Sequence, residues 1–178
     1  MYRIASGRVR IRTVSACGKE ALWVIFGPGK FIGTVSLVDG LPRHSDAVAE
    51  CATDLDCLSA TDFESVARRH PELYKALAIS YAMWIRDHQA IHGYSLEERL
   101  ARRLDFLLEF GAEEDEQTGA LRIEFTQEML ASSVAVSRQA ISKLLQDWQD
   151  DGVIRYRYGS VFVLDRPRLK QLAGRQIN

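Results

Sequence analysis

The chain has 178 residues, with 23 Lys+Arg against 24 Asp+Glu and 47% hydrophobic residues. That suffices for one ordinary domain or two small ones with a buried core, and it excludes a wholly disordered chain. No run approaches the roughly 18 apolar residues of a membrane span. Met1 to Gly7 lacks the apolar stretch of a secretory signal. Cys17, Cys51 and Cys57 cannot all pair and show no CxxC spacing, so free thiols in the cytoplasm are expected.

The near-neutral total hides an asymmetry. From Phe125 to Asn178 eight cations face five anions, a net of +3, and the preceding residues carry −4. An acidic front and a basic rear suit a sensing module joined to a nucleic-acid reader.

Residues 1–60 read as short strands. Arg8 to Arg12 alternates polar and apolar, and a turn at Cys17-Gly18 leads to an apolar run from Ala21 to Phe26. Gly27-Pro28-Gly29 breaks the chain, Phe31-Ile32 resumes it, and Asp39 to Pro42 breaks it again. Further runs lie at Ala47 to Ala49 and Leu55 to Leu58. Strands of this size between Gly/Pro breaks predict a jelly-roll type of β-roll. Cys51 and Cys57 fall in or beside these strands and are expected to be small buried hydrophobes.

At Thr61 the period changes. Thr61 and Glu64 fit a capping box for a helix to about Arg69, and Pro71 opens a second. On that second helix Tyr74, Leu77, Tyr81, Trp84, His88 and Ile91 recur every three or four residues. Such a seam serves either to pack the helix on its own domain or to pair it with a second copy, and its strictness favours self-association. His88 on the seam is either a hydrogen-bonded interface residue or a pH-sensitive contact. Gly93 ends the helix. Ser95 and Glu98 cap another to Phe110, and Glu113 to Glu116 reads as a solvated loop.

Thr126 to Leu145 carries the functional signal. Thr126 is a fitting N-cap, Leu130 and Val134 share a helical face, and Ala131 is small enough for a second helix to cross closely. Ser137 caps that second helix, which buries Ile141, Leu144 and Leu145. The pattern predicts a helix-turn-helix, with a plain helical hairpin as the alternative. Arg138, Gln139, Ser142 and Lys143 are left facing outward, where arginine can pair with guanine and glutamine with adenine. Ala135 occupies the turn place where glycine is usual, since φ there is often positive. Val153 to Arg157 and Val161 to Leu164 then predict a hairpin wing that brings Arg155, Arg157 or Ser160 to phosphates. Arg166-Pro167 starts a last helix.

Taken in order, Ala5 to Arg10, Gly27 to Gly33, Leu37 to Arg43, Glu98 to Arg103 and Thr126 to Leu145 resemble the Crp/Fnr superfamily of bacterial transcription regulators. The resemblance implies an α+β chain. It implies a cyclic-nucleotide-binding-like β-roll over 1–70, either without its first strands or with a true start upstream of Met1, a dimerisation helix over 71–93 and a winged helix-turn-helix over 94–178. It implies a homodimer on palindromic double-stranded DNA, with RNA polymerase as a further partner. The effector pocket would be Gly33, Thr34, Arg43, His44, Ser45 and Trp84. Nucleotide-binding members have glutamate after the first glycine and serine after the arginine, where this chain has Thr34 and His44. The adenine-contacting pair of the helix falls on Trp84 and Ile85. Cyclic AMP is therefore not expected as the effector, and both the existence and the identity of another stay open.

No catalytic residue, metal site or cofactor is expected. An enzyme of the cupin type needs several histidines inside the barrel, and only His44 lies in the strand region. His70 and His92 have no partner at ligand spacing. The rival to a regulator is an effector-binding or protein-interaction module built on the roll, with no operator of its own.

Overall fold

A computed structural model describes residues 1–14, 20–89, 93–115 and 117–174. The chain divides into two compact units, 1–88 and 89–178.

In the first unit, β1 (Tyr2–Ser6), β2 (Val9–Val14), β3 (Glu20–Phe26), β4 (Phe31–Ile32), β5 (Asp46–Ala49) and β6 (Asp54–Cys57) form two antiparallel three-stranded sheets. Their orders are β4-β1-β6 and β3-β2-β5. β1 carries no clear alternation, so sequence pattern alone does not signal it; it is placed by pairing with β4 and β6. The segment after β4 forms a short helix, α1 (Val35–Asp39), ended by Gly40 at φ +69°, where only a break is legible in the sequence.

α2 (Ala60–Arg69) starts two residues before the predicted box. Ser59 is its cap and accepts from the Asp62 amide at 3.0 Å. Ser59/Asp62 and Thr61/Glu64 both fit the capping pattern, and the earlier pair wins because two further residues then join the helix. The freed Glu64 carboxylate accepts from the Tyr74 hydroxyl at 3.1 Å. α3 (Glu72–Gln89) puts Tyr74 edge-on to Phe63, with centroids 5.6 Å apart, and Trp84 against Phe26 at 6.0 Å. Cys51 and Cys57 are exposed, against expectation. Cys51 follows β5 in a bend, and Cys57 sits on β6, an edge strand among the described residues. Cys17, His92, Ile91 and the side chain of His88 lie outside what is described.

The second unit begins with α4 (Leu96–Gly111). Ser95 accepts from the Glu98 amide at 3.2 Å and Glu98 accepts from the Ser95 amide at 2.9 Å, the predicted reciprocal cap. That amide holds the Glu98 carboxyl below its usual pKa. Leu100, Leu104, Leu107 and Leu108 bury the inward face of α4. β7 (Glu113–Glu114) pairs with β8 (Leu121–Glu124), so the acidic stretch opens as a short edge strand and not as a loop. α5 (Gln127–Ser133), α6 (Arg138–Asp150), β9 (Ile154–Arg157), β10 (Ser160–Val163) and α7 (Arg166–Leu172) follow. The sheet runs β7-β8-β10-β9, all antiparallel. Among the described residues no helix is long and apolar enough to cross a membrane.

The units differ in core. Among the described residues, eight buried hydrophobics lie in the first and 21 in the second, although their lengths are nearly equal. Stability against local opening follows buried apolar contact. Native-state hydrogen exchange is expected to protect the α4 and α6 amides by at least tenfold more than those of β5 and β6. Equal protection would contradict this distribution.

Candidate nucleic-acid interface

α5 and α6 are two short helices joined by a tight turn, and each is capped as its sequence requires. The Thr126 hydroxyl oxygen accepts from the Met129 amide at 3.2 Å, and the Ser137 hydroxyl oxygen from the Ala140 amide at 3.2 Å. Leu130, Ala131 and Val134 of the first helix and turn, with Ile141, Leu145 and Trp148 of the second, are all buried. Alanine at 131 allows the close crossing. The turn carries Ala135 at φ +55°, so the position that normally favours glycine keeps the left-handed conformation with a Cβ present.

Burial of one side leaves the other in water. Arg138, Gln139, Ser142 and Lys143 are exposed on the first two turns of α6. Among the described residues none of the four side chains has an intramolecular hydrogen bond or ion pair. They are two cations and two uncharged donor–acceptors at the end of α6 remote from Asp147, Asp150 and Asp151. Such a set can meet base edges and phosphates together.

The wing is a two-residue hairpin. Ser160 pairs with Arg157 across Tyr158 and Gly159, whose φ values are +50° and +71°. Two successive positive values are those of a type I′ turn. The register puts Arg155, Arg157, Phe162 and Arg122 on the outward face of the sheet, with Ile154, Val161, Val163 and Ile123 inward. Arg155 is exposed and, among the described residues, without a side-chain partner. Arg157 stacks its guanidinium over the Tyr158 ring, 4.6 Å from the centroid. A Cβ on Gly159 would lie 3.9 Å from Cγ2 of Thr126, so the wing turn abuts the start of α5.

One predicted contact is corrected. Ser160 is only 2% exposed, and its hydroxyl accepts from Arg122 Nε at 3.2 Å. As the first residue of a central strand it is flanked on both sides by β8 and β9, and this hydroxyl is not available to a phosphate. The tip residue is Tyr158, 88% exposed. Its only signal in the sequence is an aromatic before a glycine between two strands.

In the first unit Arg43 donates from Nη1 to the Gly33 carbonyl at 2.5 Å. Gly33 is at φ +72°, and a Cβ there would fall 2.4 Å from that nitrogen, so the glycine is needed for the approach. Thr34 caps α1 without a side-chain hydrogen bond. Arg43 and His44 are exposed, Ser45 is half-buried, and Trp84 packs on Phe26.

The Ala135 geometry gives a test. Ala135→Gly removes a left-handed Cβ cost of about 1–2 kcal/mol and adds glycine's unfolded-state entropy of about 0.5–1 kcal/mol. The variant is expected to be as stable as the parent or more stable by up to about 1.5 kcal/mol in urea unfolding. Clear destabilisation would show that the turn does not hold this conformation.

Comparison with known proteins supplies the family. Residues 1–70 match the cyclic nucleotide-binding domain and residues 98–172 the Crp-like helix-turn-helix domain. The chain is 31% identical over 177 residues to the cyclic AMP receptor protein of Thermus thermophilus, covering 97% of this chain and 79% of that one. It is also 31% identical over 180 residues to a CRP-like cAMP-activated global transcriptional regulator of Mycobacterium tuberculosis, with the same coverage. A solved transcriptional regulator of the CRP/FNR family from Thermus thermophilus superposes with a TM-score of 0.72 at 28% identity, over 97% of this chain and 87% of that one. With a β-roll in the first unit and a winged helix-turn-helix in the second, the chain belongs to the Crp/Fnr family of DNA-binding transcription regulators.

Proposed function

We propose that this regulator works as a cytoplasmic homodimer on a palindromic operator, with α6 in the major groove and an effector other than cyclic AMP. The observation that carries the reading is the exposed polar start of α6, with four free side chains on its first two turns while its apolar side is buried. Arg138, Gln139, Ser142 and Lys143 read bases and adjoining phosphates. Thr126 at the α5 cap and Arg155, Arg157 and Tyr158 on the wing hold the backbone. In this division of labour 1–70 is the sensor, 71–93 the pairing helix and 94–178 the DNA reader, with RNA polymerase as the downstream partner.

Pairing uses the side of α3 that its own unit leaves uncovered. Ile79 and Met83, one turn apart on that side, are 54% and 42% exposed, whereas Leu77 and Tyr81 of the expected seam are half-buried on the opposite side of the helix. Burying one such side chain contributes about 1.5–3 kcal/mol, and a two-fold axis counts each twice. Ile79→Asp with Met83→Asp spares the rings of Tyr74 and Trp84, which pack at home. The pair should give folded monomers by sedimentation, with operator binding lost at the same protein concentration. A persistent dimer would place the interface elsewhere.

Two named relatives respond to cyclic AMP, but Thr34 replaces a ribose-binding glutamate and the Arg43 guanidinium is already engaged by Gly33. Calorimetry should detect no cyclic AMP binding in the micromolar range. Binding that disappears in Arg43→Ala would overturn this part of the reading.

Selection of bound DNA from a random pool tests the DNA reading itself. Glutamine favours adenine and glutamate cytosine. Gln139→Glu should therefore change the selected base at one pair per half-site, by about 1–3 kcal/mol. Arg155→Ala should weaken all sequences alike and lower the salt slope by about one. An unchanged logo in Gln139→Glu would assign base reading to another element.

A further inference from the structure

The turn of the helix-turn-helix is held from outside. Within α5 and the turn, the Val134 amide donates to Leu130 O at 3.2 Å and the Val136 amide to Ala131 O at 3.0 Å. The Val134 carbonyl itself lies past the last helical residue, and its donor comes from α4: Arg99 Nη1, at 3.1 Å. A guanidinium at this place also meets the negative end of the α5 dipole. Two residues earlier on α4, Glu97 accepts from the indole Nε1 of Trp148 at 3.2 Å. Trp148 is 1% exposed and lies near the far end of α6. One stretch of α4 thus holds the turn before α6 and the tail of α6 together. That stretch follows directly on the Ser95 cap, the first element after the segment leading from α3.

The two anchors bracket a lever. From Arg138 to Trp148 is about 15 Å of helix, and a tilt of about 5° moves the far end by about 1 Å. Hydrogen bonds to base edges do not survive such a shift. Lysine and arginine contacts to phosphates, made by long flexible side chains, tolerate it. Loss of the clamp should therefore remove discrimination before it removes general affinity for DNA.

We propose that Arg99, together with Glu97, is a positioning element that sets the angle of α6 for base reading and touches no DNA itself. The proposal rests on α6 being the reading helix, and the experiment separates the two claims. With the full-length protein and its selected operator, affinities for operator and for an unrelated duplex are measured over a range of salt, for Arg99→Ala, Arg99→Lys, Glu97→Ala, Glu97→Gln and Arg138→Ala. Urea unfolding of each variant reports stability separately.

Arg99→Ala and Glu97→Ala should each lower the operator-to-unrelated affinity ratio by about tenfold or more with the salt slope unchanged. Arg99→Lys, which keeps a cationic donor, and Glu97→Gln, which keeps the acceptor, should recover most of the ratio. If Arg99→Ala does not fold, Glu97→Ala and the rescue pair carry the test. A ratio unchanged in Glu97→Ala and Arg99→Ala, with only stability reduced, would make the clamp purely structural and overturn the proposal. A salt slope reduced by about one in Arg99→Ala would make Arg99 a phosphate contact and overturn it as well. Full operator affinity in Arg138→Ala would instead count against α6 as the reader.

Discussion

The burial of one side of α6 is the constraint on which the function depends. Ile141, Leu145 and Trp148 are almost wholly withdrawn from water, and each contributes about 1.5–3 kcal/mol by that withdrawal. Helical geometry then turns Gln139, Ser142 and Lys143 outward, while Arg138, in line with Ile141 and Leu145, is exposed as the first residue of the helix. The exposure of Gln139, Ser142 and Lys143 is therefore a consequence of the core and needs no separate stabilisation. Free polar side chains at the start of a rigid helix keep their hydrogen-bonding capacity for a ligand. In a major groove that capacity becomes sequence discrimination.

The first unit is built on weaker terms. Its strands are short, β5 and β6 bury little, and apolar side chains remain on the surface, Val35, Val38 and Leu41 among them. In the sensor role proposed for it, the unit gains from this. A unit with little core of its own has most to gain from whatever binds or pairs with it, and small binding energies then shift its population. Arg43 on the Gly33 carbonyl is one local contact with which an anionic ligand proposed to bind there would have to compete.

The sequence made the DNA reader legible because its determinants are local. Thr126 and Ser137 cap where they stand, Leu130, Val134, Ile141 and Leu145 keep the helical period, and Ala131 marks the crossing. Ala135 reads as a departure from glycine, yet the backbone takes the positive φ that glycine would have served. Where partners are distant in sequence, local pattern gave less. β1 depends on residues about 30 and 50 positions away. Ser160 belongs to the wing by position, but pairing with β8 turns its hydroxyl to Arg122. Tyr74 and Trp84 fit a pairing seam equally well with Phe63 and Phe26 as with a second copy. Neither the Arg99 to Val134 bond, 35 residues apart, nor that of Trp148 to Glu97, 51 apart, leaves any periodic trace.

The central claim, that the exposed side of α6 lies against base edges, is tested most directly by cleavage from a fixed point on that side. The three cysteines are changed to serine, Ser142→Cys is introduced, and an iron chelate that cleaves DNA is attached there. On the selected operator the account predicts two clusters of cuts related by the operator's dyad, one in the major groove of each half-site. Cuts spread evenly along the duplex, or confined to DNA outside the half-sites, would contradict it.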